Sequence, residues 1–301
     1  MPILLGDDDL QRLLPPERAL SLVRAAVIDL DRGRLVEPPR VAADVGAGHL
    51  TFTCGAVPGS WLGYRSYRAP GDAGDEQVVV VTDDPSGRVR ALYAGQHLGP
   101  LRTGALGALA IDALAPLGPV SLAVVGAGRQ AWAQLRAIHA ARRIESLRVH
   151  SRTPAHRQSL ADRASAELGV PALASDTVRA AVEGADVVVL ATSSPVPVVE
   201  AAWLAAASVV STLGPKQVHR HEFPPALTAG ASLLVTDSLA QLAAYDPPAV
   251  VVASGELDRV RSLGSVVAGG PARLGSGPAV FLSVGLAGTE QRQGIVQVGE
   301  D

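Results

Sequence analysis

Between residues 15 and 34 apolar side chains recur at Leu20, Val23, Val27 and Leu30. That spacing of three to four places them on one stripe of a helix, and Gly33 supplies a stop. The period then shortens. Val41–Phe52 and Leu62–Tyr67 read as short strands, separated by the turn signal Pro58-Gly59. The stretch QVVVVTDDPSGRVRALY (77–93) reads as two strands folded about Asp84-Pro85-Ser86-Gly87, a hairpin. It is followed by LRTGALGALAIDALAP (101–116), which predicts a helix of small residues ended by Pro116.

After residue 120 strands and helices alternate. SLAVVGAG (121–128), SLRVHSR (146–152), ADVVVLATSS (185–194), ASVVSTLG (207–214) and ASLLVTDS (231–238) are strand candidates. They are apolar on both faces, as buried parallel strands are. Helical stretches fall between them, notably Thr153–Leu168. The alternation predicts an α/β fold whose main part is a Rossmann-type doubly wound domain over 117–275. Residues 1–116 and 276–301 would then form a smaller α/β domain from both chain ends. Within this scheme 269–280 reads as a linker and VFLSVGLAGTE (280–290) returns to the first domain.

Bulk composition narrows the class. The 301 residues suffice for two domains, and 48% hydrophobic against 18% charged residues allows a sizeable core. A net charge of −3 leaves no electrostatic footprint for nucleic acid. No apolar run is long enough for a membrane span, and the acidic N-terminal stretch is unlike a signal peptide. The single cysteine, Cys54, excludes an internal disulfide and is expected to be buried and inert. A cytoplasmic enzyme without metal is the expected class. Of the 26 basic residues only Lys216 is a lysine, so side-chain amine chemistry has one possible carrier.

Gly126, Gly128 and Ala131 form G-x-G-x-x-A directly after a strand, with Arg129 and Gln130 between them. The first glycine allows the tight turn, the second a close approach of pyrophosphate, and the third small residue close helix–strand packing. The helix N-terminus adds partial positive charge. At the end of the next strand a site for NAD carries Asp or Glu. Here the chain reads His150-Ser151-Arg152-Thr153, with Arg157 one turn further on. Ser151, Arg152 and Thr153 can all donate to a 2′-phosphate, which predicts NADP(H) over NAD(H). Thr192, Ser193 and Ser194 follow a later strand, and Leu213 and Gly214 another, at the carboxyl edge where such sheets bind ligands. With Gly285 they complete the expected cofactor set.

The ordered segments PPR, LRTGALGALA, VVGAGRQA, SLRVHSRTP, ADVVVLATSSPVPVV and VFLSVGLAG resemble the ornithine cyclodeaminase/mu-crystallin family over nearly the whole chain. The resemblance implies a dimerising α/β domain built from both chain ends and a Rossmann domain, acting on small amino or imino acids. It implies a homodimer. It also implies that Arg40 of PPR and Arg102 of LRT bind the substrate carboxylate, for which a planar, permanently charged guanidinium is well suited.

Two positions depart from the family pattern. Its usual Gly-x-Lys reads Gly63-Tyr64-Arg65. Arg65 can bind or polarise substrate, but arginine does not give up a proton. Lys216 stands where cyclodeaminases carry an essential aspartate. Ornithine cyclisation needs a base there, whereas reduction of an imine needs chiefly positioning and a proton. Lys216 is the expected donor, with His97, His219 and His221 as further possibilities. The expected function is therefore NADP(H)-dependent imine reduction or amino-acid dehydrogenation. A cyclodeaminase-like lyase with bound NAD and a catalytically silent binding protein stand as alternatives.

Overall fold

The structure is a computed structural model that describes residues 1–46, 48–69, 75–204, 209–270 and 275–291. The chain divides into two compact units, Met1–Arg102 with Gly285–Asp301, and Thr103–Val284.

The first unit opens with β1 (Ile3–Leu5), α1 (Asp7–Leu13) and α2 (Pro16–Asp31). Val23 and Val27 of the expected stripe are buried and Leu20 and Leu30 half-buried. Proline at the first helical position starts α2 without losing a hydrogen bond, and Gly33 ends it at φ +68°. Then come β2 (Val41–Asp44), β3 (His49–Val57), β4 (Trp61–Ala69), β5 (Gln77–Asp83) and β6 (Val89–Gly95). The sheet runs β1-β6-β5-β4-β3-β2, antiparallel throughout except where β1 lies parallel to β6. The stretch 41–52, expected as one strand, is two antiparallel strands that turn back between Asp44 and His49. Residues 77–93 form the expected hairpin, β5 and β6.

Alternation along these strands separates two faces. Thr51, Thr53, Trp61, Arg65, Val79 and Val81 point inward, while Leu50, Phe52, Leu62, Tyr64 and Val78 are exposed. Cys54 falls on the outward parity of β3 and is exposed, not buried as its residue type suggests.

In the second unit α3 (Leu98–Leu114), inside which the division falls, leads to β7 (Val120–Val125), α4 (Arg129–Ala141), β8 (Ile144–His150) and α5 (Pro154–Leu168). Next come β9 (Ala172–Ala174), α6 (Val178–Val182), β10 (Val187–Leu190) and β11 (Val209–Thr212). A two-stranded ribbon, β12 (Lys216–Gln217) and β13 (Arg220–His221), precedes α7 (Pro225–Ala229) and β14 (Leu233–Thr236). The last elements are α8 (Leu239–Ala243), α9 (Val250–Ala253), β15 (Val260–Ser262), α10 (Leu263–Gly269) and β16 (Ala279–Leu282). All eight strands of the main sheet are parallel, in the order β15-β14-β16-β11-β10-β7-β8-β9. Strands β10, β11 and β16 are buried at every position, which is why their sequences carry no alternation.

The boundaries differ from those read off the sequence. Residues 280–282, expected to return to the first domain, lie in β16 between β11 and β14. The unit limits accordingly fall at Arg102 and Gly285 rather than at 116 and 275. Of the expected linker 269–280, residues 271–274 lie outside the described residues and 279–280 open β16. The small-residue pattern of α3 has a packing cause. A Cβ on Gly104 would come within 2.6 Å of the Ala133 carbonyl oxygen in α4, and Gln134 beside it donates to the Thr103 carbonyl at 2.8 Å. Only a bare backbone allows the two helices this approach. Among the described residues no helix is long and apolar enough to cross a membrane.

Candidate functional site

In the second unit β7 feeds directly into the turn at Gly126, whose φ is +114°. A Cβ there would meet the Ala191 carbonyl oxygen at 2.3 Å, so only glycine fits. Gly126 N–H donates to the His150 carbonyl at 2.8 Å, and Ala191 N–H to the Val125 carbonyl at 2.8 Å. These bonds tie the ends of β7, β8 and β10 together. Gly128 caps α4 without a side-chain bond, and a Cβ on it would face open space. Ala131 is fully buried, as close packing of helix on strand requires. Gln130 Oε1 is buried and accepts no hydrogen bond among the described residues. A helix N-terminus without a side-chain cap, open at Gly128, fits a dinucleotide pyrophosphate.

At the end of β8, Ser151 is half-buried and Arg152 and Thr153 are exposed. Arg157 is committed elsewhere. It donates from Nη1 to the Ser151 carbonyl at 3.1 Å and pairs with Asp176 at 2.5 Å. Asp176 was not foreseen, because it reaches this corner from the far side of β9.

The loops after β10 and β11 converge on Glu222, a residue the sequence did not single out. Its carboxylate accepts from Thr192 N–H at 3.0 Å, Thr192 Oγ1 at 2.7 Å and Gly214 N–H at 2.5 Å. Burial pushes the Glu222 carboxyl above its ordinary range, against these hydrogen bonds and the charge of Lys216. Lys216 is itself buried and donates from Nζ to the Gly214 carbonyl at 2.7 Å. Thr192, Gly214 and Lys216 thus share one polar cluster, which Leu213 joins to the sheet through its N–H to Leu190 O at 2.9 Å. Ser194 adds an N–H to Thr192 Oγ1 at 3.2 Å, while Ser193 is exposed. His219 is exposed and His221 half-buried, its Nδ1 at 3.1 Å from the Gln217 carbonyl.

In the first unit the structure brings Arg65 and Arg102 together around a second unforeseen carboxylate. Arg65, on the inward face of β4, donates from Nη1 to Glu290 Oε1 at 2.7 Å. Arg102 Nε lies 2.9 Å from the same oxygen. Thr289 Oγ1 donates to the Leu286 carbonyl at 2.8 Å and lies 3.2 Å from the other Glu290 oxygen. Burial by itself would raise the Glu290 carboxyl, yet Arg102 and then Arg65 hold it below the ordinary range. The Arg65 guanidinium also stacks over Tyr67, 4.0 Å from the ring centroid. Gly285, expected with the cofactor, lies against Arg102: a Cβ on it would be 3.0 Å from Nη1. Arg40 is half-buried just before β2. His97 is an exposed partner of Asp7, at 3.3 Å. Among the described residues no group of three or more His, Cys, Asp or Glu could hold a metal ion.

Glu290 carried a signal that could have been found. It is the one acid in the run VFLSVGLAGTE, and an acid among apolar and small residues needs a buried cation. Glu222 sits less conspicuously in the polar stretch HRHEF.

The chain is similar to several known proteins. The iminosuccinate reductase of Paracoccus denitrificans is 30% identical over 312 residues, covering 99% of this chain and 97% of that protein. Its crystal structure with NAD+ superposes with a TM-score of 0.86 at 28% identity, over 99% of this chain and 95% of the other. The Thermococcus litoralis Delta(1)-pyrroline-2-carboxylate reductase, solved with NADH and L-proline, has a TM-score of 0.87 at 23% identity, over 98% and 96% of the two chains. An L-lysine cyclodeaminase of Streptomyces rapamycinicus is 30% identical over 271 residues, covering 84% of this chain and 75% of that protein. The sequence pattern of the ornithine cyclodeaminase/mu-crystallin family matches residues 17–291, and the chain belongs to that family.

Proposed function

We propose that this protein is a nicotinamide-dinucleotide-dependent oxidoreductase that reduces the C=N bond of small carboxylated imino acids, or oxidises the matching amino acids. The observation that carries the reading is the pair of guanidiniums, Arg65 and Arg102, held in place in the first unit. A guanidinium binds a carboxylate through parallel N–H bonds and keeps its charge at any working pH. The glycine turn and open N-terminus of α4 in the second unit supply the dinucleotide cradle. The iminosuccinate and pyrroline-2-carboxylate reductases among the relatives support the same chemistry.

In this reading Arg102, Arg65 and Arg40 orient the substrate by its carboxylate. Gly126, Gly128, Arg129, Gln130 and Ala131 hold the pyrophosphate, and the loops of Thr192, Ser193, Ser194, Leu213 and Gly214 line the rest of the cofactor. A reduced nicotinamide held by these residues would supply the hydride that the imine carbon takes up. The nitrogen takes up a proton, and an amine results. Lys216 is the assigned proton source, with one of its three N–H bonds given to Gly214 O. The lyase alternative asks for a carboxylate base at the position of Lys216, and a buried lysine stands there.

The test is direct. A small cyclic imino acid with NADPH is expected to consume cofactor stoichiometrically, read at the nicotinamide absorbance. Ornithine is expected to give neither proline nor ammonia, with or without NAD+. Proline formed from ornithine without net cofactor change would establish the lyase. Cofactor binding with no turnover of any imine or keto acid would leave a silent binding protein.

For the cofactor, we assign NADP(H) on the strength of Ser151, Arg152 and Thr153, where an NAD site carries an acid. NADPH is expected to bind at least tenfold more tightly than NADH, about 1.4 kcal/mol. Fluorescence titration of both cofactors checks this, and equal affinities would contradict it. The variant Arg152→Asp should reverse the preference.

A homodimer is also part of this reading, and the exposed apolar side chains Leu50, Phe52, Leu62, Tyr64 and Val78 on one sheet face support it. Light scattering at micromolar concentration should give twice the chain mass. A stable monomer would refute the assignment.

A further inference from the structure

The carboxylate anchor contains more than its arginines. We propose that Glu290 is a positioning residue of that anchor: it binds Arg65 and Arg102 through a single oxygen and leaves the group with one net positive charge, matched to one substrate carboxylate. This rests on the reading above that the first unit anchors a carboxylate.

Three observations lead to it. Glu290 is almost completely buried, with 1% of its side chain exposed, and Arg65 and Arg102 are nearly as enclosed at 10% and 11%. Two guanidiniums this close repel each other strongly where water is excluded, so neither would stay without the shared anion. The contact also fixes which edge of Arg102 is used. Its Nε lies 2.9 Å from Glu290 Oε1 as an ion-pair contact, while Nη1 lies over Gly285, and both nitrogens are buried without a hydrogen bond among the described residues. A buried donor without an acceptor is costly, and an incoming carboxylate oxygen would relieve it. Arg65 is fixed in the same group by Nη1 on Glu290 and by its plane on Tyr67.

Charge balance gives the proposal its consequence. Two arginines and one glutamate sum to plus one. Glu290→Gln keeps the volume but leaves plus two. The amide can still accept from Arg65, whereas Arg102 loses its anion and is pushed away from Arg65. A preset Nη1 is then lost.

The experiment compares wild type, Glu290→Gln and Glu290→Asp as full-length protein. Three quantities are measured: kcat and KM for a cyclic imino acid, calorimetric binding of cyclopentenecarboxylate, and Tm as chloride replaces gluconate at constant ionic strength. Cyclopentenecarboxylate is a planar ring acid with no C=N to reduce. Glu290→Gln is expected to raise KM, and to weaken binding of the ring acid, by about tenfold or more. Its kcat should stay within about threefold and its affinity for NADPH should not change. Its Tm should rise with chloride, which fills in for the missing anion, while that of wild type stays flat. Glu290→Asp keeps the charge and should stay flat in chloride with most of its affinity retained. If Glu290→Gln does not fold, the flat chloride response and retained affinity of Glu290→Asp still decide. Wild-type KM and a chloride-independent Tm in Glu290→Gln would overturn the proposal, as would Glu290→Asp responding to chloride. A wild type that binds no ring acid and reduces no imino acid would instead overturn the anchor reading, and the chloride contrast would still decide the role of Glu290.

Discussion

A carboxylate can be buried only if its charge is met on every side, and each unit of this protein is arranged around one that is. In the first unit Glu290 gathers Arg65 from the middle of β4 and Arg102 from α3 onto one oxygen. In the second, Glu222 gathers the loops after β10 and β11 through Thr192 and Gly214. Removing one partner from such a group leaves an uncompensated buried charge, at a cost of about 3–5 kcal/mol.

The two acids are met in different ways. Glu290 is met by full positive charges, so its carboxyl is held below the ordinary range and the surrounding group remains cationic. Glu222 is met mostly by N–H and O–H dipoles, and burial carries its carboxyl upward. A cationic group suits a small anion. The dipolar cluster of Glu222 lies on the loops at the carboxyl edge of the parallel sheet.

Local features of this arrangement were legible in the sequence. The stripe of α2, the hairpin of β5 and β6, and the glycine turn after β7 each follow from a short period or a few turn residues. Arg65 and Arg102 were also visible, through the motifs that hold them. Features set by distant partners were not. Residues 280–282 read as a generic apolar run, and only pairing with β11 and β14 makes them a central strand. Glu290 lies 225 residues from Arg65, so nothing near it in sequence announces its partners. The exposure of Cys54 depends on strand parity, which its residue type does not reveal.

The central claim is that this protein moves a hydride to a carbon that its arginines hold by the neighbouring carboxylate. Transfer from NADPH carrying deuterium at both C4 positions of the nicotinamide tests this most directly, with the product of a cyclic imino acid read by mass spectrometry and NMR. The account predicts one deuterium in the product, at the carbon bearing the carboxylate. Product formed without deuterium, or with the label at any other carbon, would contradict it.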